Sequence, residues 1–201
     1  MTAIRKSSEA CRKFIIENVD KNPATIAKLV TEKFHISRQA ANKHLQKLVE
    51  EKVLAVAGNT KARVYSLVLQ TTVHMSLSLL EKSWNEDSVW RNEIAPKLGV
   101  MPENLVNIWH YCFTEMLNNA IDHSDGKNVS IEVTKTAAYT EVMIHDDGVG
   151  IFRKIQAQLN LQDERHSVLE LAKGKFTTDP ANHSGEGIIF SSRVCDDFQI
   201  L

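Results

Sequence analysis

Glu115, Asn118, Asn119 and Asp122 stand at i, i+3, i+4 and i+7 in the stretch EMLNNAID. On a helix, that spacing gathers two carboxylates and two amides on one face. Phe113, Met116, Leu117, Ala120 and Ile121 fall on the other side. A polar stripe on an amphipathic helix is ordinarily a solvated face. Adjacent asparagines are weak helix formers, however, so a wet helix surface is a poor reason to place them there. The alternative is a functional face of amides and carboxylates, whose chemistry must be read from the rest of the chain.

Two β-prone runs follow, VSIEVTK and YTEVMIHD, and the second ends in DDGVGI. Much later comes HSGEGIIFSSRV, a Gly-x-Gly that opens an apolar helix. Either glycine motif alone says little. The ordered set is specific: Glu-x-x-Asn-Asn-Ala on a helix, two strands, Asp-Asp-Gly-x-Gly-Ile, a long connection, then Gly-x-Gly-Ile before a helix. This set resembles the GHKL ATPases, the family of gyrase B, MutL, large heat-shock chaperones and sensor histidine kinases. TEMLNNAID is similar to their asparagine box, DDGVGI to the first glycine box and GEGI to the second, and the resemblance covers about residues 102–201.

The resemblance implies ATP and Mg²⁺ as ligands and gives the opening stripe a role. Asn119 would hold Mg²⁺ through its amide oxygen, with phosphate and water completing an octahedron. Glu115 matches the gyrase-type carboxylate that orients or deprotonates the attacking water. Asp122 and His123, one turn on, are within reach of the metal's water or of phosphate, or else form a solvated helix end. Asp146 would accept a hydrogen bond from the adenine amine. Gly148 and Gly150 permit a turn and a close approach of nucleotide. Gly185, Gly187 and Ile188 form the second glycine box, whose backbone amides favour phosphate at a helix N-terminus. Residues 152–184 become a lid carrying Lys173 and Lys175, which either contact phosphate or stay solvated. No P-loop is present.

Two features depart from the family pattern. More strand normally follows the second glycine box, whereas here DDFQIL begins a strand and the sequence given stops at Leu201, so an incomplete sheet or a truncated domain is the expectation. No phosphoacceptor box is found. His74, in TVHMSLS, lacks the acidic residue and Arg-x-Pro that follow such histidines, and reads as an ordinary helix residue.

The net charge of −1 conceals an asymmetry. Residues 1–70 hold 13 Lys and Arg against 6 Asp and Glu, a balance of +7, and the remainder has a balance of −8. A basic third is suited to a polyanion. It contains three helical patterns. Ala10, Phe14, Ile15 and Val19 line the first, and the second has Pro23 in its first turn and Ile26, Leu29, Val30 and Phe34 inside. The third, capped by Ser37, has Ala41, His44, Leu45, Leu48 and Val49 inside. Two β-prone runs, VLAVAG and ARVYSLVL, then flank NTK, a hairpin signal. Three helices and a hairpin over about residues 7–69 resemble the winged helix-turn-helix domains of bacterial regulators. That resemblance implies Arg38, Gln39, Asn42 and Lys43 facing double-stranded DNA, with Lys61 and Arg63 in the wing. The competing reading is a winged helix used for protein contacts.

Residues 70–100 read as two helical stretches broken near Asn85, with Val73, Leu77 and Leu80 as an apolar stripe. They suit a linker, a packing helix or the seam of a homodimer. No apolar run has the length of a membrane span. Three scattered cysteines, Cys11, Cys112 and Cys195, suggest neither a disulfide framework nor a zinc site, so a cytoplasmic location is expected. The expected fold class is α+β: a winged helix over 1–69, a helical linker over 70–100, and over 101–201 an α/β sandwich with a mixed sheet of the GHKL (Bergerat) type. The expected function is a DNA-binding transcriptional regulator that binds Mg·ATP or hydrolyses it slowly. The alternatives are a histidine-kinase-like or anti-sigma-like protein kinase acting in trans and an interaction module with a degenerate site.

Overall fold

A computed structural model describes residues 3–59, 62–81, 84–173 and 186–201. The chain divides into two compact units, Met1–Thr72 with Thr134–Glu141, and Val73–Val133 with Val142–Leu201.

The first unit begins with α1 (Ala3–Asn18), α2 (Ile26–Phe34) and α3 (Arg38–Glu50). A hairpin of β1 (Leu54–Ala57) and β2 (Val64–Leu67) follows, antiparallel, with Leu54 opposite Leu67 and Ala57 opposite Val64. Ser37 starts α3 as its pattern predicts, its hydroxyl accepting from the Ala40 N–H at 3.2 Å. The apolar stripes meet in one core: Cys11, Ile15 and Val19 of α1, Ile26 and Val30 of α2, and Ala41, Leu45 and Leu48 of α3. Cys11 takes the place expected for Ala10, which is exposed. Pro23 lies before α2 rather than in its first turn, and its carbonyl accepts from the Tyr65 N–H at 3.0 Å.

Residues 71–78 form a strand, β3 (Thr71–Ser78), not the expected helix. Val73 and Leu77 are buried and Met75 half-buried, while Thr72, His74 and Ser76 are exposed. This is the two-residue alternation of a strand. Leu80, placed on the helical stripe, is exposed. The break near Asn85 is present, since Asn85 caps the next helix by accepting from the Ser88 N–H at 2.9 Å. That helix comprises α4 (Glu86–Val89), a π-helical turn (Trp90–Ile94) and α5 (Ala95–Leu98). Pro96 supplies the cause of the π turn. It has no N–H, and its ring would crowd the carbonyl four residues back. The Ala95 N–H accordingly reaches the carbonyl of Trp90, five residues back.

The long helix α6 (Glu103–His123) leads into β4 (Asn128–Lys135) and β5 (Thr140–Asp146), then α7 (Ile151–Leu159), α8 (Arg165–Ala172) and α9 (Gly187–Val194). The strand order is β3-β4-β5. A mixed sheet is expected from the resemblance, but over the described residues the sheet is antiparallel throughout. The Leu79 N–H donates to Lys127 and the Gln70 N–H to Lys135, so β4 runs back along β3. A short turn at Thr136–Tyr139, held by the Thr136 hydroxyl, then reverses β4 into β5. Val129, Ile131 and Val133 of β4 share a core with Trp90 and Ile94 and with Phe113, Leu117 and Ala120 of α6. Replacing fully buried Phe113 by Ala would cost about 3–5 kcal/mol. Residues 198–201 form no strand, contrary to the reading of DDFQIL. No helix among the described residues is long and apolar enough to cross a membrane.

Candidate functional site

One helix, α6, joins the parts of the site. Its apolar side, with Phe113, Leu117 and Ala120, is locked into the core. This fixes the opposite side, where Glu115, Asn118 and Asn119 are half-buried and Asp122 is exposed. His123 is the last residue of α6 and half-buried.

The first glycine motif is tied to the end of this helix. The Val149 N–H donates to the Ser124 carbonyl at 3.0 Å, and the Ser124 hydroxyl accepts from the Gly126 N–H at 3.0 Å. A Cβ on Gly148 would collide with the Ser124 carbonyl group, approaching its carbon to 2.7 Å, so only glycine lets the two segments approach this closely. Asp146 alternates along β5 with Val142 and Ile144, which pack on the core, and so lies on the helix-facing side of the strand. Its Oδ1 accepts from the Gly148 N–H at 2.9 Å, which fixes the carboxylate at the turn. Gly150 has φ +87° and is the N-cap of α7, a backbone that favours glycine.

Asp147, just past the end of β5, acts as a clamp. Its Oδ1 accepts from the N–H groups of Lys127 at 2.6 Å and Asn128 at 2.9 Å, and its Oδ2 from the Asn128 side chain at 2.8 Å. Hydrogen bonds from Asn128, backbone first, and from Lys127 lower its carboxyl to a pKa of about 2. Lys154, one turn into α7, pairs with Asp125 at 2.5 Å. Ser124, Asp147 and Lys154 are further polar residues at these turns, none of them expected from the motifs. The signal available for Lys154 was its place four residues after Gly150, at the start of a helix.

The second glycine motif meets the middle of α6. Gly187 is buried and opens α9. The space for a Cβ on Gly187 is filled by the Glu115 carboxylate, whose Cδ would be 2.9 Å away. Farther along α9, Phe190 meets Tyr111 edge to face at 4.7 Å. Burial raises the Tyr111 pKa, with Glu115, Cys112 and Glu186 adding to the effect. Ile188 is half-buried in the first turn of α9.

The structure therefore brings Glu115 to Gly187 and the end of α6 to Gly148. The half-buried amide of Asn119 and the neighbouring carboxylates are oxygen donors of the kind Mg²⁺ takes, so the α6 face fits the implied ion. Lys173 is exposed at the end of α8, where it pairs with Glu170 at 2.6 Å. Lys175 and Gly185 lie outside the described residues, as does Lys61. The described part of the 152–184 connection consists of α7 and α8. His74 lies on a strand, exposed and 3.7 Å from Glu132. In the first unit, Arg38, Gln39, Asn42 and Lys43 are all exposed on the first half of α3, and Arg63 is exposed beside β2.

No curated protein and no solved structure matches the chain. Residues 106–199, the stretch that holds Glu115, Asn119, Asp146 and Gly187, match the family model of the histidine kinase-, DNA gyrase B-, and HSP90-like ATPases, which supports a GHKL-type ATPase domain there.

Proposed function

We propose that this domain binds Mg·ATP and that the chain uses the bound nucleotide as a signal, hydrolysing it slowly. The carrying observation is the convergence on α6, with Gly187 against Glu115 and Gly148 against Ser124. Asn119 holds the metal through its amide oxygen. Asp146 selects adenine by accepting from its amine, with the Gly148 N–H keeping the carboxylate in place. The amides at the start of α9 meet phosphate, and a helix N-terminus favours the anion. Glu115 orients or deprotonates water. Isothermal titration with ATP and with a non-hydrolysable analogue, each with and without Mg²⁺, tests this reading. Mg²⁺-dependent binding of both is expected, and absence of binding overturns it.

The output we propose is DNA binding by the first unit. Four exposed residues with donor-bearing side chains, two of them cationic, occupy consecutive turns of α3, next to a hairpin, in a segment of charge +7. Arg and Gln there can pair with guanine and adenine edges, and Arg63 with phosphate. The second reading is a protein kinase acting in trans, for which the family match allows. Transfer of the γ-phosphoryl group to a protein substrate, rather than to water, would favour it.

A further inference from the structure

Cys112 and Cys195 are 83 positions apart in the chain, yet their sulfur atoms are 3.9 Å apart. Cys112 is buried in the middle of α6, three residues before Glu115. Cys195 is half-buried and ends α9, its N–H donating to the Ser191 carbonyl at 3.2 Å. Helix α9 thus meets α6 near three points: Gly187 against Glu115 at its start, Phe190 against Tyr111 in its middle, and Cys195 against Cys112 at its end. The first two contacts are non-covalent. The third joins two thiols that need to approach by only about 2 Å to bond.

We propose that Cys112 and Cys195 are a reversible dithiol–disulfide pair that fastens α9 to α6. A low-molecular-weight disulfide such as oxidised glutathione serves as oxidant. The Cys195 thiol, the more accessible of the two, loses its proton and attacks one glutathione sulfur, breaking that S–S bond and releasing one glutathione thiolate. The Cys112 thiol then loses its proton and attacks the Cys195 sulfur, expelling the second glutathione as thiolate. Each thiolate takes up a proton. Two protein thiols are oxidised to one disulfide, and one glutathione disulfide is reduced to two glutathione molecules.

Burial, with Cys112 beside it, pushes the Cys195 thiol up to about pKa 11. Exchange is therefore slow near neutrality and accelerates as pH rises, because the thiolate is the nucleophile. Cys11, the third cysteine, is buried in the core of the other unit and serves as an internal control.

The test uses the full chain, reduced, freed of reductant and incubated with oxidised glutathione at pH 8.5. Peptide mapping without reduction should find a Cys112–Cys195 cross-link with Cys11 still free. Hydrogen exchange of the α9 amides should slow about ten-fold on oxidation, as local opening of the helix is suppressed. Dithiothreitol should reverse both effects, and Cys195→Ser should show neither. Glutathione remaining on Cys195, or no loss of thiols, overturns the pair. A cross-link that leaves α9 exchange unchanged overturns the clamp.

Discussion

Gly187 lies so close to Glu115 that the Glu115 carboxylate fills the space where any other residue would carry its Cβ. Gly187→Ala should therefore displace the carboxylate. The obstructing atoms belong mainly to the end of a flexible side chain, so folding should survive at a cost on the order of 1 kcal/mol. In a Glu115→Ala background the same change should become neutral or slightly stabilising, since Ala is the better helix former. A thermal-melt cycle of wild type, the two single variants and the double variant measures this coupling. Additive shifts would show that the two residues do not constrain each other.

Binding and hydrolysis should separate on the face of α6. Asn119→Ala should abolish the Mg²⁺-dependent part of ATP binding. Glu115→Ala should leave ATP bound while eliminating phosphate release, because a base acts only as the reaction proceeds. Titration calorimetry and a phosphate-release assay on the same preparations read the two effects. Phosphate release at the wild-type rate from Glu115→Ala would remove that residue from the chemistry.

Asp146→Asn isolates base selection from the fold. The amide oxygen of Asn can still accept from the Gly148 N–H, so the turn should persist. The acceptor offered to the adenine amine is weakened, and ATP affinity should fall by roughly 1–3 kcal/mol. GTP should bind the wild type poorly, because its carbonyl would face a carboxylate. Equal affinities for ATP and GTP would rule out adenine recognition by Asp146.

The residues in the core and at the site were unequally legible in the sequence. The asparagine box could be read because its helical spacing and its residue types agree, and burial of Phe113, Leu117 and Ala120 follows from the same period. Residues 71–78 are ambiguous in the sequence, because Val73, Leu77 and Leu80 satisfy a helical period while Val73, Met75 and Leu77 satisfy a strand period equally well. Pairing with β4 decided between them, and no local pattern reveals a partner so far along the chain. Asp147 carries no sequence signal of its clamp, because its partners Asn128 and Lys127 stand 19 and 20 positions earlier in the chain. The approach of Cys112 to Cys195 depends on α9 packing against α6 and leaves no trace in spacing.

Asp147 makes stability depend on acidity. Its folded pKa of about 2 lies below the unfolded 3.8 because the charged form accepts hydrogen bonds from Asn128 and Lys127. Its contribution is complete above about pH 4 and is lost as pH falls toward 2. Asp147→Asn cannot gain from ionisation and should lose less stability across that interval. Urea melts of both forms from pH 2 to 5 measure the difference, and parallel profiles would show that the clamp is not coupled to protonation.

Ligand binding by the two units can be measured in one set of titrations. If the first unit binds duplex DNA, Arg38→Ala should cost affinity in a sequence-dependent manner, on the order of 1–3 kcal/mol at the preferred site. Arg63→Ala should lower binding evenly across sequences and flatten the salt dependence, as loss of a phosphate contact does. ATP can change DNA affinity only by binding two conformations unequally, and DNA must then change ATP affinity by the same factor. DNA titrations at several salt concentrations, with and without Mg·ATP, separate these claims. Absence of binding at low salt would eliminate the DNA reading. Identical curves with and without Mg·ATP would eliminate only the coupling, leaving a DNA-binding unit and a nucleotide-binding unit that act independently. Shifts of equal size in the two affinities would establish that the nucleotide site and the DNA-binding unit are coupled, as a nucleotide signal with a DNA-binding output requires.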